Sequence, residues 1–443
     1  MKASIAPLRR VALAAVLAGW VASLPAANEY ENAPIRYSDT EPNDAAQELE
    51  RKLRSGQATI DRSDAWTVLR GLMQHFQIPE SSQVLVFSKT SKQNHLIHPQ
   101  TPRIIYFGDN AYIGYCIGGS IEVSTIDPLL GPIFYLLEPD TPANRPLHFE
   151  RDQSCLSCHG GPFSPDVPGV LVRSVFPGRE GHPLMSQGST VVDTTTPFTE
   201  RWGGWYVTGS HGKTTHRGNA TMDDREDAAA LDREAGANLK DLTGLFDTRP
   251  YPTPTSDIVA LMVLEHQTST QNALTKANHA ALRAMHMQQS LQRELGEKVE
   301  EQPVGTARRI IDNVATHVLD ALLFKDEAAL PEDGIEGLEA FQRDFTRTAP
   351  RSQDGRSLKD FQLLNRLFKY RCSYMIYSLT FQHLTPPLKD TVMQRLDGIL
   401  QGQDITGRYE HLGSSERAHI RAILAETLPE APAHWAVQEK GSN

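Results

Sequence analysis

The spacing of apolar residues changes character several times along the chain. Residues 11–24 (VALAAVLAGWVASL) form one apolar run of 14, shorter than the ~20 residues that cross a bilayer as a helix. Residues 28–62 are mostly polar, with helix-like material only around 44–54, and predict a tether. From Ser63-Asp64 onward, Trp66, Leu69, Leu72, Met73 and Phe76 recur at helical spacing, and the pattern stops before Pro79. Short runs rich in Val, Ile, Tyr and Phe then predict strands at 83–88, 103–107, 111–116, 120–126, 133–137, 169–176, 190–193 and 204–208. Asp109-Asn110 reads as a hairpin turn, and Asp127-Pro128 with Gly131-Pro132 as another bend.

Beyond about residue 255 the period becomes helical. Ser256-Asp257 caps a helix reaching about 298, and a second, over 307–325, carries Ile310, Ile311, Val314, Val318, Leu319, Leu322 and Leu323. Ser357-Leu358-Lys359-Asp360 resembles a capping box and predicts a helix to about 383, on which Tyr370, Tyr374 and Tyr377 share a packing face. Pro386-Pro387 opens another helix and Ser415 the last. Strands followed by helices predict an α+β fold. Its expected parts are a signal peptide at 1–27, the tether at 28–62, a β-rich domain at 63–250, a helical domain at 251–430 and a tail at 431–443.

Charge sharpens the reading of the first segment. Lys2, Arg9 and Arg10 precede the apolar run, and Ala26-Ala27 follow it, as in a secretory leader. Arg9-Arg10 is followed only by Val-Ala-Leu, so ordinary export is expected rather than the twin-arginine route, with a periplasmic or secreted location. No later segment holds 18 uninterrupted apolar residues, so no membrane span is expected in the mature chain. Removing the leader takes away three cations and no acids, moving the formal net charge from −10 to −13. That argues against a nucleic-acid partner and is compatible with a basic redox partner protein.

Four cysteines occur in 443 residues, and two of them stand in Cys155-Leu156-Ser157-Cys158-His159. Cys-x-x-Cys-His is the pattern of covalent haem attachment. On one tight helical turn both sulfurs reach the same porphyrin edge, and the imidazole that follows meets the iron. A zinc site would need a fourth ligand, and no second Cys-x-x-Cys or paired His block lies near. A thiol-disulfide exchange site would need a βαβ setting that the pattern does not supply, and a plain disulfide is the third alternative.

The stretch 155–160 resembles c-type cytochromes. ERWGGWYVTGSHG at 200–212 and RCSYMIYS at 371–378 are similar to large uncharacterised exported monohaem proteins of bacteria. The resemblance implies one covalent haem c per chain, bound through Cys155, Cys158 and His159. Small soluble cytochromes are several times shorter, so their compact helical fold is not implied.

The sixth iron ligand separates electron transfer from chemistry on a small molecule. Candidates are His211 and His216, which follow the aromatic run Trp202, Trp205 and Tyr206, and Met185 in HPLMSQGS. His266, beside Glu265, is a further candidate or a core histidine, and His148 and His182 have only nearness in sequence. Arg151, Arg173 and Arg201 flank strands near the motif and are the expected partners of the haem propionates. Cys116 and Cys372 remain, as a disulfide pair in an oxidising compartment or as free thiols.

The leading expectation is an exported monohaem c-type protein that binds haem and transfers electrons, with His159 proximal and a histidine from 211–216 opposite. The first alternative is a haem-dependent oxidoreductase of peroxidase or oxidase type, whose helical half covers an open iron face. The second is a non-catalytic haem sensor or scaffold.

Overall fold

A computed structural model describes residues 28–140, 145–161, 163–164, 166–223, 227–431 and 435. The expected signal peptide, and all of the expected tail but Ala431 and Trp435, lie outside the described residues. Both of those are buried.

Six strands run as one antiparallel meander in chain order: β1 (Val84–Val86), β2 (Arg103–Phe107), β3 (Ala111–Tyr115), β4 (Ile121–Asp127), β5 (Gly131–Leu137) and β6 (Glu150–Arg151). The expected hairpin turn at Asp109-Asn110 joins β2 to β3. The bend after β4 forms because Asp127 Oδ1 accepts the N–H groups of Leu129 and Leu130, both at 2.7 Å, and Gly131 supplies φ +82°.

Period-two alternation assigns the two faces of the sheet. Leu85, Ile104, Tyr106, Ile113, Val123, Ile133 and Tyr135 share one buried cluster with α1 (Ala45–Arg54) and α2 (Ala65–His75). Val84, Val86, Phe107 and Tyr112 belong instead to the cluster that contains the helical half. Asp44 and Asp64 cap α1 and α2 by accepting the N–H groups of Gln47 and Thr67.

Helices dominate after residue 257. They are α4 (Ile258–Glu294), α5 (Gly305–Leu322), α6 (Glu339–Arg347), α7 (Leu379–Gln382), α8 (Pro386–Leu400) and α9 (Ser414–Thr427), while α3 (Leu156–His159) is the short turn of the motif. Strands early and helices late make this an α+β fold, as expected. The first three turns of α4 are buried on every side, because they lie between the sheet and the other helices. Among the described residues no helix is long and apolar enough to cross a membrane.

Four expectations are corrected. Residues 30–54 are no free tether: Tyr30, Ile35, Tyr37, Ala46 and Leu49 are buried in the sheet's own cluster, where aromatic and apolar side chains placed at intervals suffice to dock a polar segment. The expected boundary at 250 is no seam, since one hydrophobic cluster contains Val84, Trp205, Leu264 and Leu319. Residues 204–208 form no named strand. Trp202 at φ +65° and Gly204 at φ +86° bend the chain, leaving isolated bridges from Trp205 to Val86 and from Thr208 to Asp257, and a bond from Tyr206 N–H to Leu85 O.

The expected helix over 358–383 is likewise replaced. Asp360 Oδ2 does accept the Ser357 N–H at 2.9 Å, but the chain then folds back, with Phe361 bridged to Phe368 and their rings stacked at 5.6 Å. Leu363 takes φ +57° at the turn. Aromatic packing thus outweighs the local helix signal, and helical structure returns only at the 3₁₀ turn Tyr374–Tyr377 and α7.

Candidate functional site

The sheet face turned towards α4 is the floor of a cavity of about 600 Å³. Alternate residues of four neighbouring strands line it: Arg103 and Ile105, Tyr112 and Gly114, Glu122 and Ser124, Phe134 and Leu136. Leu264 and Thr268 of α4, Val170, Val172 and Trp205 add further wall, and Cys155, Cys158 and His159 line it as well. Lys89, Lys92 and Arg173 are the remaining cations of the lining. The volume lies within the ~300–1,000 Å³ usual for small-molecule and cofactor sites.

The motif turn is held at both ends. Asp152 Oδ1 accepts the Ser154 N–H at 2.9 Å, and the same carboxylate pairs with Lys92. At the other end Tyr30 donates its hydroxyl to Gly160 O at 3.1 Å, and a Cβ at residue 160 would collide with that hydroxyl. The supposed tether therefore fixes the motif.

His159 packs its ring against Phe134 at 4.6 Å, with Nδ1 2.8 Å from Gly169 O. That carbonyl can only accept, so it selects the Nδ1–H tautomer and leaves the Nε2 lone pair for a metal. Burial holds the imidazole pKa below its ordinary value, which favours the neutral, ligating form. Cys155 is half-buried and Cys158 exposed, both as free thiols. Burial, reinforced by Asp152 and Glu122, pushes the Cys155 thiol up to about 11, so it stays protonated at neutral pH.

A charged pair crosses the floor. The Arg103 guanidinium pairs with Glu122, passing over Gly114, where any Cβ would run into it. Glu122 also accepts from Ser91 Oγ at 2.7 Å and Gln93 Nε2 at 2.9 Å. Burial raises its pKa, but Arg103 and these donors outweigh that and leave it below the ordinary value. Arg103 Nε, Arg173 Nε and Ser124 Oγ are buried at the cavity without a hydrogen-bond partner. Orphaned donors of this kind call for an acceptor.

The structure sorts the residues singled out from the sequence. Arg173 lines the cavity beside the motif, over the Phe163 ring at 3.9 Å. Met185 also lines it, 68% exposed. Arg151 is not in the lining: its guanidinium donates to the carbonyls of Thr40 at 2.8 Å and Tyr37 at 2.5 Å. Arg201 is also absent from the lining, 3% exposed and paired with Glu265, which accepts the Trp202 Nε1–H as well at 3.2 Å.

His211 and His216 do not line the cavity either. They pack on each other at 4.7 Å beside Phe198. His211 spends Nδ1 on Thr214 O and accepts the Asn238 N–H at Nε2, while His216 Nδ1 accepts the Gly218 N–H. The expected opposite ligand from 211–216 is thereby corrected. His266 is a core histidine, 2.7 Å from Ser373 Oγ and stacked on Phe324 at 4.5 Å. His148 pairs with Glu50 at the surface, and His182 is exposed away from the lining.

Cys116 and Cys372 are both free. Cys116 lies within electrostatic reach of Arg103 and Glu122, whereas Cys372 is buried in the aromatic cluster near Tyr377. Among the described residues, no three His, Cys, Asp or Glu side chains converge to hold a metal ion, so the zinc reading lacks its ligand set here.

Sequence reasoning missed Arg103, Lys89 and Lys92. Arg103 had a readable signal: it alternates with Ile105 and Phe107, which sets one charge on a face otherwise directed inward. No family model, no curated protein and no solved structure matches this chain.

The buried titratable groups set an acid limit on stability. Burial keeps His216 and His266 neutral to about pH 3 and His279 to about pH 4. Unfolded imidazoles protonate below about 6.5, so these three contribute stability that is full above that value and lost as pH falls. Burial also lifts Asp257 and Glu327 to about 7, and raises Glu265 in spite of Arg201. Those three contribute in the opposite sense, fully below the unfolded value of about 4 and lost as pH rises through the folded one.

Between about pH 6.5 and 4.5 the two sets offset. Below that only the imidazoles count, at roughly one net proton or ~1.4 kcal/mol per pH unit. Urea midpoints are therefore expected to be nearly equal at pH 7 and 5.5 and to fall below pH 4.5. A drop between pH 7 and 5.5 as steep as that below 4.5 would contradict the assignment.

Proposed function

We propose that this protein is an exported c-type monohaem protein that carries electrons, with one haem c held covalently at Cys155 and Cys158 and ligated by His159. The observation that carries the reading is the contact of His159 Nδ1 with Gly169 O at the wall of a largely apolar cavity whose charged floor has donors to spare. Both features suit a flat macrocycle with an apolar body and two carboxylates. Bound haem supplies one-electron exchange at its iron.

The chain's own residues divide the remaining tasks. Cys155 and Cys158 hold the ring edge, with Asp152 and Tyr30 keeping their turn in place. Gly169 O orients His159 and strengthens it as a ligand. Arg173 and Arg103 offer their unpartnered Nε–H groups to the propionates, with Glu122 holding Arg103 in position. Ile105, Phe134, Leu264 and Trp205 keep water from the ring. Cys158 is exposed, so a redox partner protein can approach the motif end of the cavity.

Met185 is the one thioether or imidazole among the described lining residues outside the motif, and so would be the side chain to offer a bound iron a second ligand. Its exposure favours one rival, a haem oxidoreductase with an open iron face. Spectra of the haem-loaded protein separate the two. A low-spin ferric iron indifferent to cyanide and carbon monoxide is expected, turning high-spin and cyanide-binding in Met185→Ala. A high-spin iron that binds both in the unsubstituted protein would replace electron transfer with the oxidoreductase reading.

A further inference from the structure

A second cavity, of about 650 Å³, is linked to the first through one hydrogen-bonded pair: Tyr112 lines the first, Gln267 lines the second, and Gln267 Nε2–H donates to the Tyr112 hydroxyl at 2.9 Å. The β2–β3 hairpin and α2 from the sheet half and α6 from the helical half build it together. Its walls include the rings of Phe107, Phe341 and Phe345, with centroids 5.8 Å apart for the first pair and 5.7 Å for the second.

Lys359 reaches this cavity at only 3% exposure. Its Nζ donates to the two oxygens of Asp109 at 2.7 and 3.0 Å, and the rings of Phe345 and Tyr374 lie 4.5 and 5.1 Å from it. Aromatic walls therefore meet an ammonium donor and a carboxylate acceptor that is 53% exposed at its side chain. A flat aromatic ring fits the walls. Lys359 can donate to a ring carbonyl and Asp109 can accept from a ring hydroxyl, so the same site suits both redox forms of a quinone–quinol couple.

We infer that this cavity binds a quinol, a planar aromatic diol, as the electron donor to the haem site. The binding stands on the cavity alone, while the electron's destination rests on the haem reading. In quinol oxidation one phenolic O–H bond would break, its proton passing to the Asp109 carboxylate and on to solvent, and its electron passing by way of the Gln267–Tyr112 contact to the one-electron acceptor that a haem held by Cys155, Cys158 and His159 would supply. Two such oxidised radicals disproportionate to one quinol and one quinone, which closes the balance.

Calorimetric titration with 1,4-naphthoquinone tests the site on the full chain, both haem-loaded and as the haem-free Cys155→Ser/Cys158→Ser chain. Saturable binding of one molecule per chain is expected in both. Thr348→Trp, at an exposed lining position, is expected to weaken it about tenfold, or ~1.4 kcal/mol, without changing the melt. Lys359→Met is a second probe, and Thr348→Trp keeps the test decisive if that variant fails to fold.

In the haem-loaded chain, reduction by 1,4-naphthoquinol is expected to saturate with quinol and to slow by a similar factor in Thr348→Trp. No saturable binding in either form, or binding and reduction both indifferent to Thr348→Trp, would overturn the proposal. An unsubstituted chain that binds 1,4-naphthoquinone but acquires no haem when expressed with haem-attachment machinery would retire the haem reading and leave the site standing.

Discussion

A chain carrying Cys155→Ser and Cys158→Ser, expressed with export and haem-attachment machinery, is expected to fold normally and to show no haem after denaturation. The effect on attachment is all-or-none, because the substitutions remove both sulfurs that can bond the ring. The effect on folding is expected to be small. Cys158 is exposed, Cys155 only half-buried, and neither belongs to a hydrophobic cluster, so a change within about 1 kcal/mol is appropriate. A denaturing gel stained for haem reads the first effect and a urea titration the second. Haem that survives denaturation in the double variant would mean that other residues anchor it.

The second large effect lies behind the cavity wall. Arg201→Leu is expected to destabilise the protein by roughly 3–5 kcal/mol, the cost of leaving a buried ion partner alone. Glu265 would lose its guanidinium, and the carbonyl of Thr196, which accepts Arg201 Nε–H at 2.9 Å, would lose its donor. Adding Glu265→Leu should recover much of the loss, since removing both charges removes the unpaired one. Urea unfolding of the single and double variants measures this. Haem attachment in the folded fraction should be unaffected, because Arg201 does not line the cavity. A single variant as stable as the parent would show that the pair is not buried as described.

Periodicity carried most of the fold. Alternation located β1 to β5 to within two or three residues at each end and, read by face, separates the side chains packed on α1 and α2 from those that floor the cavity. Helical spacing and a Ser-Asp cap located α4. Failures came where distant contacts overrode local signals. The stack of Phe361 on Phe368 broke a capped helix, and φ values of +65° and +86° at Trp202 and Gly204 broke a run of β-formers.

Of the residues singled out from the sequence, Cys155, Cys158 and His159 of the motif, with Arg173 and Met185, line the cavity. The remaining guesses relied on nearness along the chain, which carries no information about side-chain direction. Arg151, Arg201, His211 and His216 are close in sequence to the motif or to Trp205, yet none of them lines the cavity. Arg103 comes from some fifty positions earlier and reaches the cavity because four strands bring alternate residues to one face.

The most direct measurement is the intact mass of the unsubstituted chain after expression with haem-attachment machinery, paired with a haem-stained denaturing gel. A mass increase of one haem per chain, with a stained band and with the modified peptide containing Cys155 and Cys158, is the predicted result. A chain that is folded, unstained and of unmodified mass under those conditions would contradict covalent haem at this motif.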